Sequence, residues 1–284
     1  MIRAPQTPGV RVAVICINLM LSLSATLPAQ AQSVREKLFP DGEYFVFEGR
    51  AAFILRPTED KRSQPQPWVF YGPTLPAYPD THEEWMHRKF LEAGVAVAGI
   101  DVGEAYGSPE SRAIFDRFMS ELTEQRGMAT KPCLLGRSRG GLWVSSWACD
   151  HPERFSGLAG IYPVFDFRTY PGVDKTAKAY GLTVEQLAQR IDELNPIARA
   201  AALAKAKLPV FIIHGDQDKV VPLADNSAAL AELYRKAGTA SAIKLEVAQG
   251  QGHNVWQGFF RCQELVDFVI QQARGETQAL GAAR

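Results

Sequence analysis

The sequence has 284 residues, 31 of them basic and 31 acidic, so its formal net charge is zero. No basic stripe stands out, which argues against nucleic acid or an anionic membrane surface as a partner. Open α/β domains often run past about 200 residues undivided, and no repeat, low-complexity block or Ser/Gly linker splits this chain.

The first residues read as a secretory signal peptide, residues 1–31. Arg3 and Arg11 precede an apolar run from Val12 to Leu27, and Ala29-Gln30-Ala31 supplies a small-x-small exit. The run falls short of the roughly 20 residues a membrane span needs, and Pro28 ends it. Cys16 is not placed as a lipoprotein cysteine, because half of the apolar run follows it. The expected product is a single domain, residues 32–284, secreted or periplasmic and free of stable membrane association. It keeps Cys133, Cys149 and Cys262, whose spacing matches no disulfide scaffold or zinc motif. Cys133 sits in an apolar strand pattern and reads as core. A bridge between Cys149 and Cys262 stays open in an oxidising compartment.

Tyr44–Phe47 and Ala51–Leu55 read as a hairpin, and Trp68–Tyr71 as a short strand. Asp80 is placed to cap a helix from Thr81 to Glu92, which Gly94 stops. Val95–Ile100 is apolar throughout, as in a strand buried on both faces. Ser108-Pro109-Glu110 opens a helix reaching about Arg126. Strand Cys133–Leu135 leads to helix Gly140–Ala148, and strand Leu158–Tyr162 follows. Strand Pro209–His214 precedes helix Ala224–Lys236, and strand Ala242–Val247 precedes a last helix, Gly258–Ala273. This alternation predicts an α/β fold: a mostly parallel sheet covered on both sides, with strand C-terminal ends along one edge. The interval from Tyr162 to Leu208 is too long for one crossover. Its helical patterns at Val184–Leu194 and Ile197–Ala206 predict a small lid at about 165–207.

Gly136-Arg137-Ser138-Arg139-Gly140 stands between a strand and a helix. A sharp turn there lifts the serine above the sheet, and a Cβ at either glycine would strike neighbouring chain. This is the setting of a G-x-S-x-G nucleophile elbow. Partners follow in order: Asp218 lies beyond the strand ending His214-Gly215-Asp216, and His253 lies in the loop after the last strand. A serine hydroxyl needs an adjacent base, and that base needs a carboxylate to fix its tautomer. Asp216 and Asp166 are alternative acids, Asp216 more in keeping with a turn brace. His214 reads as a structural strand-end residue, and His151 as a cap. His82 and His87 bracket "HEEWMH", but a spacing of five puts them about 140° apart on a helix, so no zinc site is expected.

With these residues the chain closely resembles the α/β-hydrolase superfamily, in its dipeptidyl-peptidase and prolyl-oligopeptidase-like branch. The likeness covers roughly Phe45 to Gln272. It rests on the elbow, on H-G-x-x-D-x-x-V-P from His214 to Pro222, and on Gly252-His253. It implies an α/β-hydrolase fold of about eight strands with a small helical lid insertion. It also implies a triad of Ser138, Asp218 and His253 that works without metal or cofactor. The Arg139 backbone N–H should be one oxyanion donor. The other should come from Tyr71-Gly72-Pro73-Thr74, where Pro73 has no N–H. That leaves a backbone N–H of Gly72 or Thr74, or the Tyr71 hydroxyl that prolyl-oligopeptidase-like enzymes use; Tyr71 is favoured. Glucuronoyl esterases also carry Arg after the nucleophile, and Arg139 is similar, although the Lys closing their motif is missing. The structural alternative pairs Arg137 and Arg139 with carboxylates such as Asp101 or Glu104. Glu104, Tyr106 and Trp256 are candidate pocket residues; Trp143 and Trp147 read as core.

The expectation is a secreted serine carboxylesterase acting on small-molecule or carbohydrate esters, acyl or uronate esters among them. One rival is a serine peptidase of the same branch, although such enzymes usually carry an N-terminal propeller that this sequence does not offer. Another is a non-catalytic binding protein on a hydrolase scaffold, against which the complete triad argues. Acyl group, alcohol and oligomeric state are not legible.

Overall fold

The computed structural model of the protein describes Met1 and residues 33–276, so the expected signal peptide and Cys16 lie outside the described residues. The chain enters through a short helix, α1 (Val34–Leu38), whose Ser33 and Glu36 cap it reciprocally. A hairpin follows, β1 (Glu43–Phe47) and β2 (Arg50–Leu55). The continuous apolar runs then form strands buried along their whole length: β3 (Trp68–Gly72), β4 (Ala96–Ile100), β5 (Cys133–Arg137), β6 (Gly157–Ile161) and β7 (Val210–Gly215). A half-buried strand, β8 (Ile243–Ala248), completes the set. Between them run α2 (Glu84–Glu92), α3 (Pro109–Ser120), α4 (Gly140–Asp150), α5 (Val173–Ala179), α6 (Val184–Gln189), α7 (Ile191–Leu194), α8 (Pro196–Arg199) and α9 (Ala201–Ala206). They are followed by α10 (Ser227–Lys236), α11 (Gln257–Phe260) and α12 (Gln263–Arg274).

The sheet order is β1-β2-β4-β3-β5-β6-β7-β8. β2 pairs antiparallel with both β1 and β4, and every pair from β4 to β8 is parallel. This is the α/β-hydrolase architecture. Side chains alternate across β3: Trp68 and Phe70 join the core on the α4 face, while Val69 and Tyr71 join the other core, with Phe90 and Phe268. That parity decides the fate of Tyr71 below. Helix α4 is buried from Gly140 to Cys149, because β3 and β5 lie on one side and α3, α8 and α9 surround the rest.

Several expectations change in detail. Helix α2 begins at Glu84, not Thr81, and Asp80 instead accepts from the His82 N–H in the preceding turn. The last helix is two, since Cys262 has an extended ψ of 101° that turns the chain after Phe259 and Phe260 dock on Tyr162. The 165–207 interval is a string of five short helices, of which α8 and α9 pack along α4. Cys149 and Cys262 are both free thiols; Cys149 is buried and faces the Pro196 carbonyl at 3.7 Å.

Candidate active site

At the elbow Ser138 has φ +50°, a left-handed conformation that costs a non-glycine residue about 1–3 kcal/mol. Neighbours over-determine it. The Ser138 N–H donates to the Ile161 carbonyl at 3.0 Å, and the Ser138 carbonyl accepts from Gly141 and Val164, each at 2.9 Å. A Cβ on Gly140 would overlap the Gly72 carbonyl, so only glycine lets α4 start this close to the end of β3. The hydroxyl is thereby carried above the sheet edge and left partly exposed.

Three side chains from three loops meet there. Ser138 Oγ lies 2.9 Å from His253 Nε2, and His253 Nδ1 lies 2.7 Å from Asp218 Oδ2. Asp218 Oδ1 accepts the backbone N–H groups of Val220 and Val221 at 2.9 and 2.8 Å. Behind it, His214 Nε2 is 2.9 Å from the Val221 carbonyl and 3.4 Å from Asp218 Oδ2, so two acceptors face that nitrogen and fix its proton there. Ser227 Oγ meets His214 Nδ1 at 2.7 Å. Burial alone would raise the Asp218 pKa, but donation from His214, His253 and Val221 outweighs it and holds the carboxyl well below its usual range. Asp218 is therefore a fixed anion. The alternative acids are occupied: Asp216 accepts from the Gly250 N–H at 2.7 Å, and Asp166 binds Arg168 and Asn195.

Tyr71 is not in the cleft. It is fully buried on the α2 face, where its hydroxyl donates to Glu83 Oε1 at 2.5 Å and its ring meets His87 edge-on at 5.1 Å. Burial and the neighbouring Glu83 carboxylate push its pKa well above the usual phenol value, and burial pushes His87 down to about 3. His82 is exposed while His87 is enclosed, so the two never share a site. Glu83 Oε2 accepts from Arg137 Nη1 at 3.0 Å, and Asp80 Oδ2 takes the same nitrogen at 2.9 Å. Arg137 is thus paired as expected, but with Asp80 and Glu83 instead of Asp101 or Glu104. Burial would lower its pKa, yet Glu83, Tyr71, Tyr162 and Asp80 together raise it, so the guanidinium stays charged. Arg137→Leu should cost about 3–5 kcal/mol of unfolding free energy, because it strands the buried Glu83 carboxylate. Urea denaturation measures this, and a loss under 1 kcal/mol would mean the pair is dispensable. Tyr71→Phe should leave kcat within about twofold while costing about 1–3 kcal/mol of stability.

The Arg139 N–H has no acceptor among the described residues, and neither does that of Thr74 in the loop after β3. With Tyr71 turned away, the oxyanion donors left are Arg139 and this loop backbone. The Arg139 guanidinium lies 3.0 Å from Glu104 and 5.3 Å from the centre of the Tyr78 ring. The cleft holds about 250 Å³, walled by Tyr78, Tyr162, Tyr170, Val220, Asn254 and Val255 around Ser138, Arg137, Arg139 and His253. Among the predicted pocket residues, Glu104 reaches it only through Arg139. Tyr106 is buried, with its carbonyl accepting from the Tyr180 hydroxyl at 2.8 Å. Trp256 turns outward onto Phe259, leaving Val255 as the wall. The three wall tyrosines are not among the pocket residues that the sequence suggests. Tyr162, at φ +36° just past β6, backs His253 at 4.3 Å between ring centres, and its place at a strand C-terminal end was the available signal.

No curated protein matches the sequence. Solved structures do. Dipeptidyl peptidase 4 of Porphyromonas gingivalis aligns with a TM-score of 0.61 at 17% identity, over 81% of this chain and 35% of that one. Est1E of Butyrivibrio proteoclasticus gives 0.60 at 19% identity, over 82% and 99%. An S-formylglutathione hydrolase of Agrobacterium tumefaciens gives 0.61 at 16%, over 82% and 94%. The chain spans only 35% and 39% of the first two structures matched. At these identities the likeness is one of fold. A family model, by contrast, matches residues 117–273, more than half of the chain, and takes in the elbow, Asp218 and His253. The chain has the α/β-hydrolase fold and belongs to the prolyl oligopeptidase family.

Proposed function

We propose that the protein is a carboxylesterase that cleaves small esters, including acyl or uronate esters of carbohydrates, through an acyl-enzyme. Ser138 Oγ attacks the carbonyl carbon as His253 Nε2 takes its proton, and Asp218 steadies the resulting imidazolium. The oxyanion rests on the Arg139 N–H and the Gly72–Thr74 backbone. His253 returns its proton to the leaving alcohol, and water then releases the acyl group by the same steps in reverse.

The observation that carries the ester reading is the charge of the cleft. Two guanidiniums line it and no carboxylate does among the described residues. The nearby acids are engaged, Asp80 and Glu83 by Arg137 and Glu104 by Arg139. A peptidase that holds a substrate ammonium needs free carboxylates, which this cleft does not offer. At about 250 Å³ the space is below the roughly 300 Å³ at which drug-sized sites begin, in keeping with a small acyl group. Tyr78, Tyr162 and Tyr170 offer ring faces to a saccharide. The Arg-flanked apolar run and the Ala29-Gln30-Ala31 exit read as a leader, and the protein is proposed to work outside the cytoplasm.

The test is a p-nitrophenyl ester series run beside acetylated xylan, a methyl glucuronate ester and an aminoacyl p-nitroanilide. Ester turnover with an inert anilide is expected. An anilide cleaved faster than the matched ester would replace this reading with the peptidase one.

A further inference from the structure

Val255 lines a second concavity as well as the catalytic cleft, and so forms the wall between them. This neighbour holds about 350 Å³ and is built by α2, the turn before it and the loop into α11. Its floor includes Phe260, which also lies 4.8 Å beneath the Arg137 guanidinium. His82, Trp85 and Arg261 line it, and none of their side chains makes a hydrogen bond or ion pair among the described residues. Arg88 and Glu84, also in the lining, neutralise each other at 2.7 Å.

We propose that this concavity is the subsite for the alcohol half of the ester, and that this alcohol is an acidic saccharide bearing a ring carboxylate, of the uronate type. The proposal rests on the esterase reading. His253 Nε2 must hand its proton to the leaving oxygen, so the alcohol departs on the histidine side of Ser138, and Val255 stands two residues beyond that histidine. A group extending past Val255 meets the planar fork of Arg261, whose geometry suits a carboxylate. It also meets the Trp85 indole and the His82 ring, which supply flat faces and further donors for a sugar ring.

Calorimetry on the full chain carrying Ser138→Ala, titrated with tri-galacturonate and with neutral xylotriose, tests the proposal. The acidic trisaccharide should bind at least about tenfold tighter, the worth of one charge-assisted contact. The difference should shrink as salt rises toward about 1 M, where the Debye length is about 3 Å. Adding Arg261→Ala should abolish it. Equal affinities, no binding of either sugar, or a preference that survives Arg261→Ala would overturn the subsite. Hydrolysis of p-nitrophenyl acetate by the unaltered protein, measured in parallel, reads the ester chemistry separately. Its absence beside an intact binding preference would indict the esterase reading alone.

Discussion

Replacing Ser138 with alanine is expected to lower kcat on a p-nitrophenyl ester by about 10⁶, with KM little changed. The side chain has one partner, His253 Nε2 at 2.9 Å, while the elbow is held by backbone bonds to Ile161, Gly141 and Val164. Deleting the hydroxyl therefore removes the nucleophile without releasing the turn. Alanine accepts φ +50° no more readily than serine, so the midpoint of thermal unfolding should move by only a few degrees. What survives in the variant is binding and the oxyanion donors, worth about 10³–10⁴ over water. A variant that kept even a tenth of its turnover would show that the bond-making atom lies elsewhere, and the esterase mechanism would fall with it.

The parts of this molecule that sequence reveals are those where one local rule acts alone. Val95–Ile100 and Pro209–Ile213 are apolar at every position, and only a strand covered on both faces accommodates that. Gly136-x-Ser138-x-Gly140 is legible because backbone approach forbids a Cβ at Gly140. Asp218 and His253 follow because each lies in the loop after a strand of a parallel sheet, and all such loops share one edge. What escapes is whatever depends on which face a side chain takes. The resemblance to prolyl-oligopeptidase-like enzymes implies Tyr71 in the cleft, yet Phe70 packs with Trp147 and so sends Tyr71 to the opposite side. The pairing of Arg137 with Asp80 and Glu83 is invisible for a related reason. Those acids stand more than 50 positions away and meet it only once α2 docks beneath the sheet. Tyr78 comes from the loop after β3 and Tyr162 and Tyr170 from the loop after β6, and no spacing in the chain announces that they share a wall.

Asp218→Asn should reduce kcat by about 10⁴ while leaving the fold intact. The size of the effect follows from which way the new amide must face. Val220 and Val221 N–H groups both point at Oδ1, so the asparagine carbonyl has to occupy that position to accept them. The NH2 group then takes the place of Oδ2, 2.7 Å from His253 Nδ1. A donor there forces Nδ1 to accept, and the imidazole proton moves to Nε2, the atom that must receive the Ser138 proton. His214 sharpens the conflict, since its own Nε2–H faces the same NH2 at 3.4 Å. The imidazole is left in place but in the wrong tautomer. Asp218 is also an anion held far below the usual carboxylate pKa, so its native contribution to stability is present above about pH 4 and fades only as pH falls toward its depressed folded value. Asparagine lacks that charge, and the variant's stability should depend less on pH in acid than the native protein's. A pH series of urea midpoints beside kcat measures both effects. An Asp218→Asn enzyme within tenfold of native turnover would mean that His253 is oriented by some other group.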